Sequence, residues 1–305
     1  MPVYQIVGFS LDSPIELPNM SELKSDATSP TELSIRIGGV PTLTASQPPI
    51  KLDGGEIQWL DEGFRLSHPR IGDVVLKQDT IYWQQSERPS IKGFRTYLLN
   101  TLLPAFAISK EMLPLHISAV SVAGQAIAFQ GNSGAGKSTL AAMLMQRGFP
   151  VITEDLGVIE LNNQTATMRA GVPYFRLWKQ SLEYFNETPQ QQNRAWSHTG
   201  KFYQQIEGSN FCSEQQPIRA IYFLLEPEQG NEITIRPITG FKAAKALLQS
   251  NFFGVPQNSS IEAEQIFNQT MKLAHQSKCF ELIRPKDFTL ANEVVDTLIN
   301  HWKTF

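Results

Sequence analysis

Cysteine is scarce in this chain. There are two, Cys212 and Cys279, far apart and without a CxxC partner. That pattern excludes a disulfide framework and a cysteine-based zinc site. Both read as idle or buried thiols in a reducing cytoplasm. Excess positive charge is missing as well. Lys and Arg number 26 against 29 Asp and Glu, a formal net charge of -3, so nothing marks a generic nucleic-acid binder. Long apolar runs are also lacking. The longest near the glycine-rich loop lies between Gln125 and Gln130, far below the roughly 20 residues of a spanning helix. The first residues, MPVYQIVGFSLDSP, have neither the charged start nor the apolar stretch of a signal peptide. The expectation is a cytoplasmic protein with no nucleic-acid and no membrane partner.

What is present is an ordinary globular composition, 41% hydrophobic and 18% charged. The 305 residues predict two domains at roughly 150 residues each, long enough to bury a core without staples. There is no internal repeat. The first hundred residues read as short strands separated by turns, such as Asp53-Gly54-Gly55 and Asp61-Glu62-Gly63, and suggest an antiparallel β-rich unit. Phe94, Leu98, Leu99, Leu102 and Leu103 fall at helical spacing and predict a connecting helix over 91–107. The boundary lies near 90–110, giving an N-terminal β-rich domain over 1–105 and a second domain over 106–305.

The second domain changes pattern. Ile117 to Val122 and Ala126 to Gln130 read as strands, followed by a glycine-rich loop and a helix from about Ser138 to Arg147. Gly148 and Pro150 stop that helix, and Val151-Ile152-Thr153 is the next strand, so the whole is one βαβ-type unit. Further strands are predicted at Ala220 to Leu225, Ile233 to Arg236 and Cys279 to Ile283, with helices near 241–250, 261–275 and 290–302. Asn186 to Pro217 is polar and rich in Gln and Asn, the pattern of a lid, a binding loop or a mobile loop.

Gly131-Asn132-Ser133-Gly134-Ala135-Gly136-Lys137-Ser138, followed by Thr139, is G-x-x-x-x-G-K-[ST], the P-loop. Its glycines let the backbone approach an anion closely. Successive N–H groups form a nest, and the following helix adds its positive end. Lys137 suits β- and γ-phosphates, and Ser138 suits Mg²⁺. A strand before and a helix after complete the context. Glu154-Asp155 follows the returning strand, Val151 to Glu154, which is expected alongside the first strand in a parallel sheet. Ligands sit where such strands end. One carboxylate can then hold Mg²⁺ while the other takes a proton from an incoming hydroxyl. His116, at the start of the strand before the P-loop hairpin, reads from its spacing alone as a core or turn residue.

These residues are familiar together. The stretch from Leu115 to Glu160 resembles the catalytic domain of HPr kinase/phosphorylase: a His-bearing strand (His116), a hairpin (Gly124), the P-loop, an Arg-Gly turn (Arg147-Gly148) and an acidic pair (Glu154-Asp155). The chain is similar to a divergent HPr-kinase-like branch, associated with ribosomally made peptides, through Pro173-Tyr174-Phe175-Arg176-Leu177-Trp178-Lys179-Gln180-Ser181-Leu182 and through Lys201 ahead of Ala220 to Leu225. The resemblance covers about residues 115–225. It implies an α/β fold with a P-loop kinase core of HPr-kinase/PEP-carboxykinase type, and an ATP-dependent kinase acting on a serine of a peptide or protein. Gly131 to Thr139 would bind ATP, Ser138 and Asp155 would serve Mg²⁺, and Glu154 or Asp155 would be the base, with His116 near the reacting phosphate. A homo-oligomer is also implied. Two departures matter. The first acid is Glu154 where the HPr-acting enzymes carry Asp, and Thr167-Met168-Arg169-Ala170-Gly171 lacks the Glu that precedes their Arg-Gly-x-Gly run. The second argues against HPr as the acceptor and against a phosphorylase activity.

Arg176 and Lys201 are expected to neutralise charge at the phosphates, Lys179 and Arg194 to be surface charge, and Leu177 and Trp178 to be core. The β-rich domain is expected to offer a sheet edge to an extended peptide. Two alternatives stand beside the serine kinase: a kinase for a sugar or other small metabolite, and a nucleotide-sensing module without turnover. GTP in place of ATP stays open. A motor or transporter ATPase is set aside for want of an arginine finger or a signature segment.

Overall fold

The computed structural model describes residues 2–25, 30–45, 47–52, 54–196, 200–252 and 261–304. The chain divides into two compact units, Met1–Lys110 and Glu111–Phe305. Asp53, in one predicted turn, lies outside the described residues.

Alternation builds the first unit. Its described strands are β1 (Val3–Ile6), β2 (Phe9–Asp12), β3 (Lys24–Ser25), β4 (Leu33–Ile37), β5 (Ile50–Leu52), β6 (Gly55–Leu60), β7 (Gly63–His68), β8 (Gly72–Lys77) and β9 (Thr80–Gln85). They form one sheet in the order β3-β1-β2-β4-β9-β8-β7-β6-β5. β7 shows the rule, with Phe64, Leu66 and His68 buried and their neighbours half-buried. The sheet is not wholly antiparallel. β4 runs parallel to both β2 and β9, because the chain crosses over after Asp12 and after Ile37 instead of turning back in a hairpin. The predicted connecting helix is broken into α1 (Ile91–Tyr97), a π turn (Leu98–Leu102) and α2 (Leu103–Ser109). Pro104 lies in the first turn of α2, and its missing N–H removes the bond that would continue one regular helix. Ser90 caps α1 by accepting from the Gly93 N–H at 3.1 Å. Phe94 stacks on Trp83 with centroids 3.8 Å apart. The division into units falls after Lys110, beyond the expected 105/106, because α2 runs on to Ser109.

The second unit is mixed α/β. Its strands are β10 (Leu113–Leu115), β11 (Ile117–Val122), β12 (Gln125–Gln130), β13 (Val151–Thr153), β14 (Gly157–Leu161), β15 (Ala166–Met168), β16 (Tyr174–Trp178), β17 (Lys201–Gln205), β18 (Gln216–Leu225), β19 (Thr234–Ile238) and β20 (Lys278–Ile283). Its helices are α3 (Lys137–Gln146), α4 (Lys179–Tyr184), α5 (Gly240–Leu248), α6 (Ile261–Gln276) and α7 (Ala291–Trp302). The sheet order is β10-β14-β15-β18-β12-β11-β13, with β20 joined to β18 and β19 to β20. β16 and β17 make a separate two-stranded ribbon.

One expected neighbour relation differs. β13 does not lie beside β12. A tight hairpin at Ala123-Gly124 folds β11 onto one side of β12, and β18 takes the other side in parallel. β13 then pairs antiparallel with the far edge of β11, across a register shift at Ala119/Val120. With β11 antiparallel to both, β12 and β13 still point the same way. Their ends reach one edge of the sheet.

Alternation along β12 sends Ile127 and Phe129 into a core with Leu140 and Leu144 of α3 and Val295, Leu298 and Trp302 of α7. α3 ends in a Schellman turn: Gly148 N–H donates to the Met145 carbonyl at 2.9 Å and Phe149 N–H to the Leu144 carbonyl at 3.1 Å. Gly148 takes the left-handed φ of 87° that this turn requires. The polar stretch after Asn186 is more ordered than its composition suggests. Phe202 and Tyr203 of β17 are buried, and Cys212 N–H donates to the Val151 carbonyl at 2.8 Å. Residues 197–199 of that stretch lie outside the described residues.

Gly171 locks the segment before the acidic pair. Its N–H donates to the Ile152 carbonyl at 2.8 Å, and a Cβ there would sit 2.8 Å from Thr153 Cβ and 3.0 Å from Thr153 Cα. Gly171→Ala is therefore expected to destabilise the protein by about 1–3 kcal/mol, the usual cost of overpacking. Urea denaturation of the variant against wild type checks it.

Candidate active site

The loop 131–136 joins β12 to α3, and β13 ends beside it. Glu154 and Asp155 follow β13 in a tight turn. Thr153 Oγ1 donates to the Leu156 carbonyl, and Leu156 N–H donates to the Glu154 carbonyl at 2.9 Å. The turn puts Asp155 at a φ of 70°, a region that non-glycine residues enter rarely. Both carboxylates are buried, Glu154 at 4% exposure and Asp155 at 6%.

The two acids have different partners. Ser138 Oγ donates to Glu154. Asp155 accepts from Arg176 Nη2 and lies 3.1 Å from His116 Nε2 through its other oxygen. The sequence reading paired Ser138 with Asp155; in the structure the partner of Ser138 is Glu154. His116 is held from outside the motif. Its N–H donates to the Ser250 carbonyl at 2.8 Å, and its ring faces Phe252 with centroids 5.6 Å apart. Lys137 is folded back, its Nζ donating to the Gly131 carbonyl at 2.7 Å. Asn132 carbonyl accepts from Ala135 N–H at 2.9 Å and closes the loop on itself. Thr139 Oγ1 and Ser181 Oγ share a hydrogen bond at 2.8 Å.

Arg176 and Lys201 come from the β16–β17 ribbon. Trp178 and Lys201 are register partners, and Lys201 Nζ lies 5.5 Å from the Trp178 ring centroid. Trp178 is 40% exposed, against the expectation of a core residue. It is the last residue of a ribbon whose alternation buries Leu177 and turns its neighbour outward. Lys179 and Arg194 stand apart. Lys179 pairs with Glu183 of its own helix at 3.3 Å, and Arg194 bridges its backbone to Phe202. His116, Ser133, Gly134, Gly136, Lys137, Ser138, Thr139, Arg176 and Lys201 all line one hollow. The sequence reading missed Arg284. It follows β20, its N–H donates to the Leu225 carbonyl at 2.9 Å, and its Nη2 donates to the Ala135 carbonyl of the P-loop. No motif flags it, because the fold brings it to the loop from far along the chain.

A family model described as ABC transporter matches residues 116–271, just over half of the 305-residue chain. The chain belongs to that family. The match spans the β10–β11 junction, the P-loop and the acidic pair, and residues 116–271 are a nucleotide-binding P-loop NTPase domain. Transporter ATPases, set aside on the sequence, thus share this domain's family. Among solved structures, the Hpr(Ser) kinase/phosphatase from Coxiella burnetii is similar at 12% identity and a TM-score of 0.37, covering 63% of this chain and 97% of that chain. No curated protein matches. Among the described residues, no helix is long and apolar enough to cross a membrane, which says nothing of a β-barrel.

In this P-loop domain, burial and charge set the ionisation. Burial pushes the Glu154 carboxyl up, and the neighbouring Asp155 charge adds to it. Burial would raise Asp155 too, but the Arg176 guanidinium and the His116 hydrogen bond hold it well below the usual carboxylate range. Burial lowers the Lys137 ammonium against the opposing pull of Asp155 and Glu154. For Arg176 burial is outweighed by Asp155 and Glu154, which drive its guanidinium further up. The resting site therefore holds an ionised Asp155 clamped by Arg176, beside a Glu154 whose proton is more tightly held. The donor set fits a magnesium nucleotide. Mg²⁺ takes few protein ligands and shares the rest of its shell with phosphates. Ser138 and Glu154 supply one hydroxyl and one carboxylate, already in contact. Among the described residues no cluster of three or more His, Cys, Asp or Glu could hold a metal ion without such a partner.

Proposed function

We propose that the chain is an ATP-dependent kinase transferring the γ-phosphoryl of ATP to a serine hydroxyl of a peptide or protein, with a P-loop core of HPr-kinase/PEP-carboxykinase type. The observation that carries this reading is the division of labour between the two acids: Glu154 on Ser138, and Asp155 between His116 and Arg176. An acceptor alcohol needs a fixed carboxylate to orient its hydroxyl and take its proton, and Asp155 is held for that by two partners.

In the reaction, the acceptor oxygen attacks the γ-phosphorus in line. The bond to the β-phosphate oxygen breaks, ADP leaves, and the serine proton passes to the Asp155 carboxylate. The transition state is loose, so most of the work is positioning and charge stabilisation. Lys137, Arg176 and Lys201 supply that charge around the transferred group. Ser138 and Glu154 would hold Mg²⁺, which, when bound, neutralises charge on the phosphate oxygens. His116 orients Asp155 through its 3.1 Å contact.

The test offers labelled ATP with a panel of serine-containing peptides to wild type and to Asp155→Asn. The expected result is label on a peptide serine with wild type and a loss of transfer of about 10²–10⁴-fold in the variant, the usual worth of a positioned base. Tight ATP binding with label on no peptide would instead favour a small-metabolite kinase or a nucleotide sensor, and an undiminished Asp155→Asn would remove the acid from the mechanism.

A further inference from the structure

The peptide unit between Ala135 and Gly136 lies in the wall of the phosphate hollow, and its own residues do little to fix its orientation. Rotating the unit about its flanking Cα atoms changes ψ of Ala135 and φ of Gly136. Gly136 has a φ of 86° and, as a glycine, accepts either sign. One orientation offers the hollow the Gly136 N–H, which attracts phosphate. The other offers it the Ala135 carbonyl, which repels phosphate. The peptide is planar and trans, so its N–H and its C=O point in opposite directions. A group that holds the carbonyl therefore aims the N–H.

Arg284 holds that carbonyl. Its Nη2 donates to Ala135, and its Nη1 donates to the Pro285 carbonyl at 3.2 Å. Arg284 stands in a neighbouring cavity that shares Gly134 and Gly136 with the hollow but contains none of His116, Lys137, Ser138, Arg176 and Lys201. The carbonyl thus faces away from those five side chains and the N–H faces toward them. Gly136 N–H has no acceptor among the described residues. The contact also leaves no room for a side chain, since a Cβ at position 136 would sit 2.6 Å from Arg284 Nη2.

We propose that Arg284 is a positioning residue for phosphate binding, locking the Ala135–Gly136 peptide so that the Gly136 N–H stays aimed at the phosphate chain. The assignment rests on the P-loop binding part of the function proposed above. Its anchorage suits the role. Arg284 follows β20, and its N–H donates to the carbonyl of Leu225, the last residue of β18, at 2.9 Å. β18 pairs in parallel with both β20 and β12, the strand that enters the loop, so the lock and the loop hang from one sheet. Its energetics point the same way. Arg176 has Asp155 as a counter-ion, but among the described residues no carboxylate pairs with Arg284. Glu226, whose charge it feels, is bound by Lys286 at 2.5 Å. Arg284 Nε is buried without a hydrogen-bond partner among the described residues. A guanidinium keeps its charge under such conditions, and a poorly compensated buried charge costs the fold stability. The return for that cost is at the loop, where it holds the nest in its anion-binding form.

Calorimetric titration with MgATP and with magnesium tripolyphosphate tests this on wild type, Arg284→Met and Arg284→Lys. Arg284→Met keeps an apolar stem without a donor. It should weaken both ligands by the same factor, at least about tenfold, the worth of one hydrogen bond to a charged group. Arg284→Lys keeps a charged donor and should stay within about threefold of wild type. A second readout follows Gly136 itself by NMR. With alanine labelled at its carbonyl carbon and glycine at its nitrogen, only Ala123-Gly124, Ala135-Gly136 and Ala170-Gly171 give a coupled amide signal, and Ala135→Ser identifies the middle one. The Gly136 amide proton should move downfield when tripolyphosphate is added to wild type, as an N–H gaining an anionic acceptor does, and should stay in place in Arg284→Met. A residue that merely supported the fold would lower the melting temperature and leave that movement intact. A folded Arg284→Met that binds tripolyphosphate within about twofold of wild type overturns the assignment. So does one that binds weakly while Gly136 still moves as in wild type. Should that variant not fold, Arg284→Gln, whose amide stops two bonds short of the Ala135 carbonyl, is read by the same two outcomes. A wild type that binds neither ligand overturns the P-loop reading itself, and the assignment with it.

Discussion

Asp155→Ala is expected to cost about 3–5 kcal/mol of folding stability, the range seen when one partner of a buried ion pair is removed. The cost comes from what is left behind. Arg176 is largely buried, its side chain 18% exposed and that of Asp155 8%. Without the carboxylate, the guanidinium keeps its charge and loses its counter-ion, since an arginine does not shed its proton in a protein. The ion pair itself need not stabilise much, because both groups were desolvated to form it. The double variant Asp155→Ala/Arg176→Met, which removes both charges and leaves the same residue at position 155, should therefore recover the part of the loss that the stranded guanidinium causes while abolishing transfer. Urea denaturation of Asp155→Ala, Arg176→Met and the double variant measures this. A loss below about 1 kcal/mol in Asp155→Ala would show that the pair is effectively solvated, as exposed pairs are.

Lys137→Ala should act in the opposite sense on stability and binding. In the resting protein the ammonium is buried, and burial already lowers its pKa. Among the described residues its Nζ donates to the Gly131 carbonyl at 2.7 Å. Removing it leaves no charged group stranded on that carbonyl, so thermal stability should hold or rise slightly, the usual trade at a functional site. ATP affinity should fall by at least about 30-fold, because truncating one member of a buried charge pair costs about 2–5 kcal/mol. Calorimetric titration with MgATP, together with a thermal melt, reads both. A variant that melts lower and still binds ATP would make Lys137 a structural residue instead.

The parts of this site that could be read from the sequence are those whose physics is local. The P-loop, the length of α3 and its stop at Gly148 are set by residues a few positions apart, and the acidic pair follows directly after a short strand. What depends on tertiary pairing could not be read. Nothing in the composition says that β11 separates β12 from β13, because a hairpin and a crossover both satisfy the alternation there. Which acid meets Ser138 is decided by the turn at Thr153–Leu156, where a one-residue difference sends the two carboxylates to different partners. Trp178 reads as core by hydrophobicity, and only the two-stranded ribbon exposes it. β17 was hidden in a polar stretch because its two buried residues, Phe202 and Tyr203, are adjacent and mask the alternation. Arg284 sits in an unremarkable Ile-Arg-Pro-Lys segment, and only the parallel pairing of β18 with β20 carries it to the loop.

The left-handed backbone at Asp155 has a consequence for experimental design. Position 155 serves two masters: its φ of 70° suits Gly, Asn or Asp, while its contacts require a carboxylate. Alanine violates both demands at once, and glycine satisfies the backbone while deleting the whole side chain. Asparagine keeps the shape and tolerates the conformation, so it subtracts the negative charge and little else. At this one position, backbone geometry itself picks the substitution that isolates chemistry from folding.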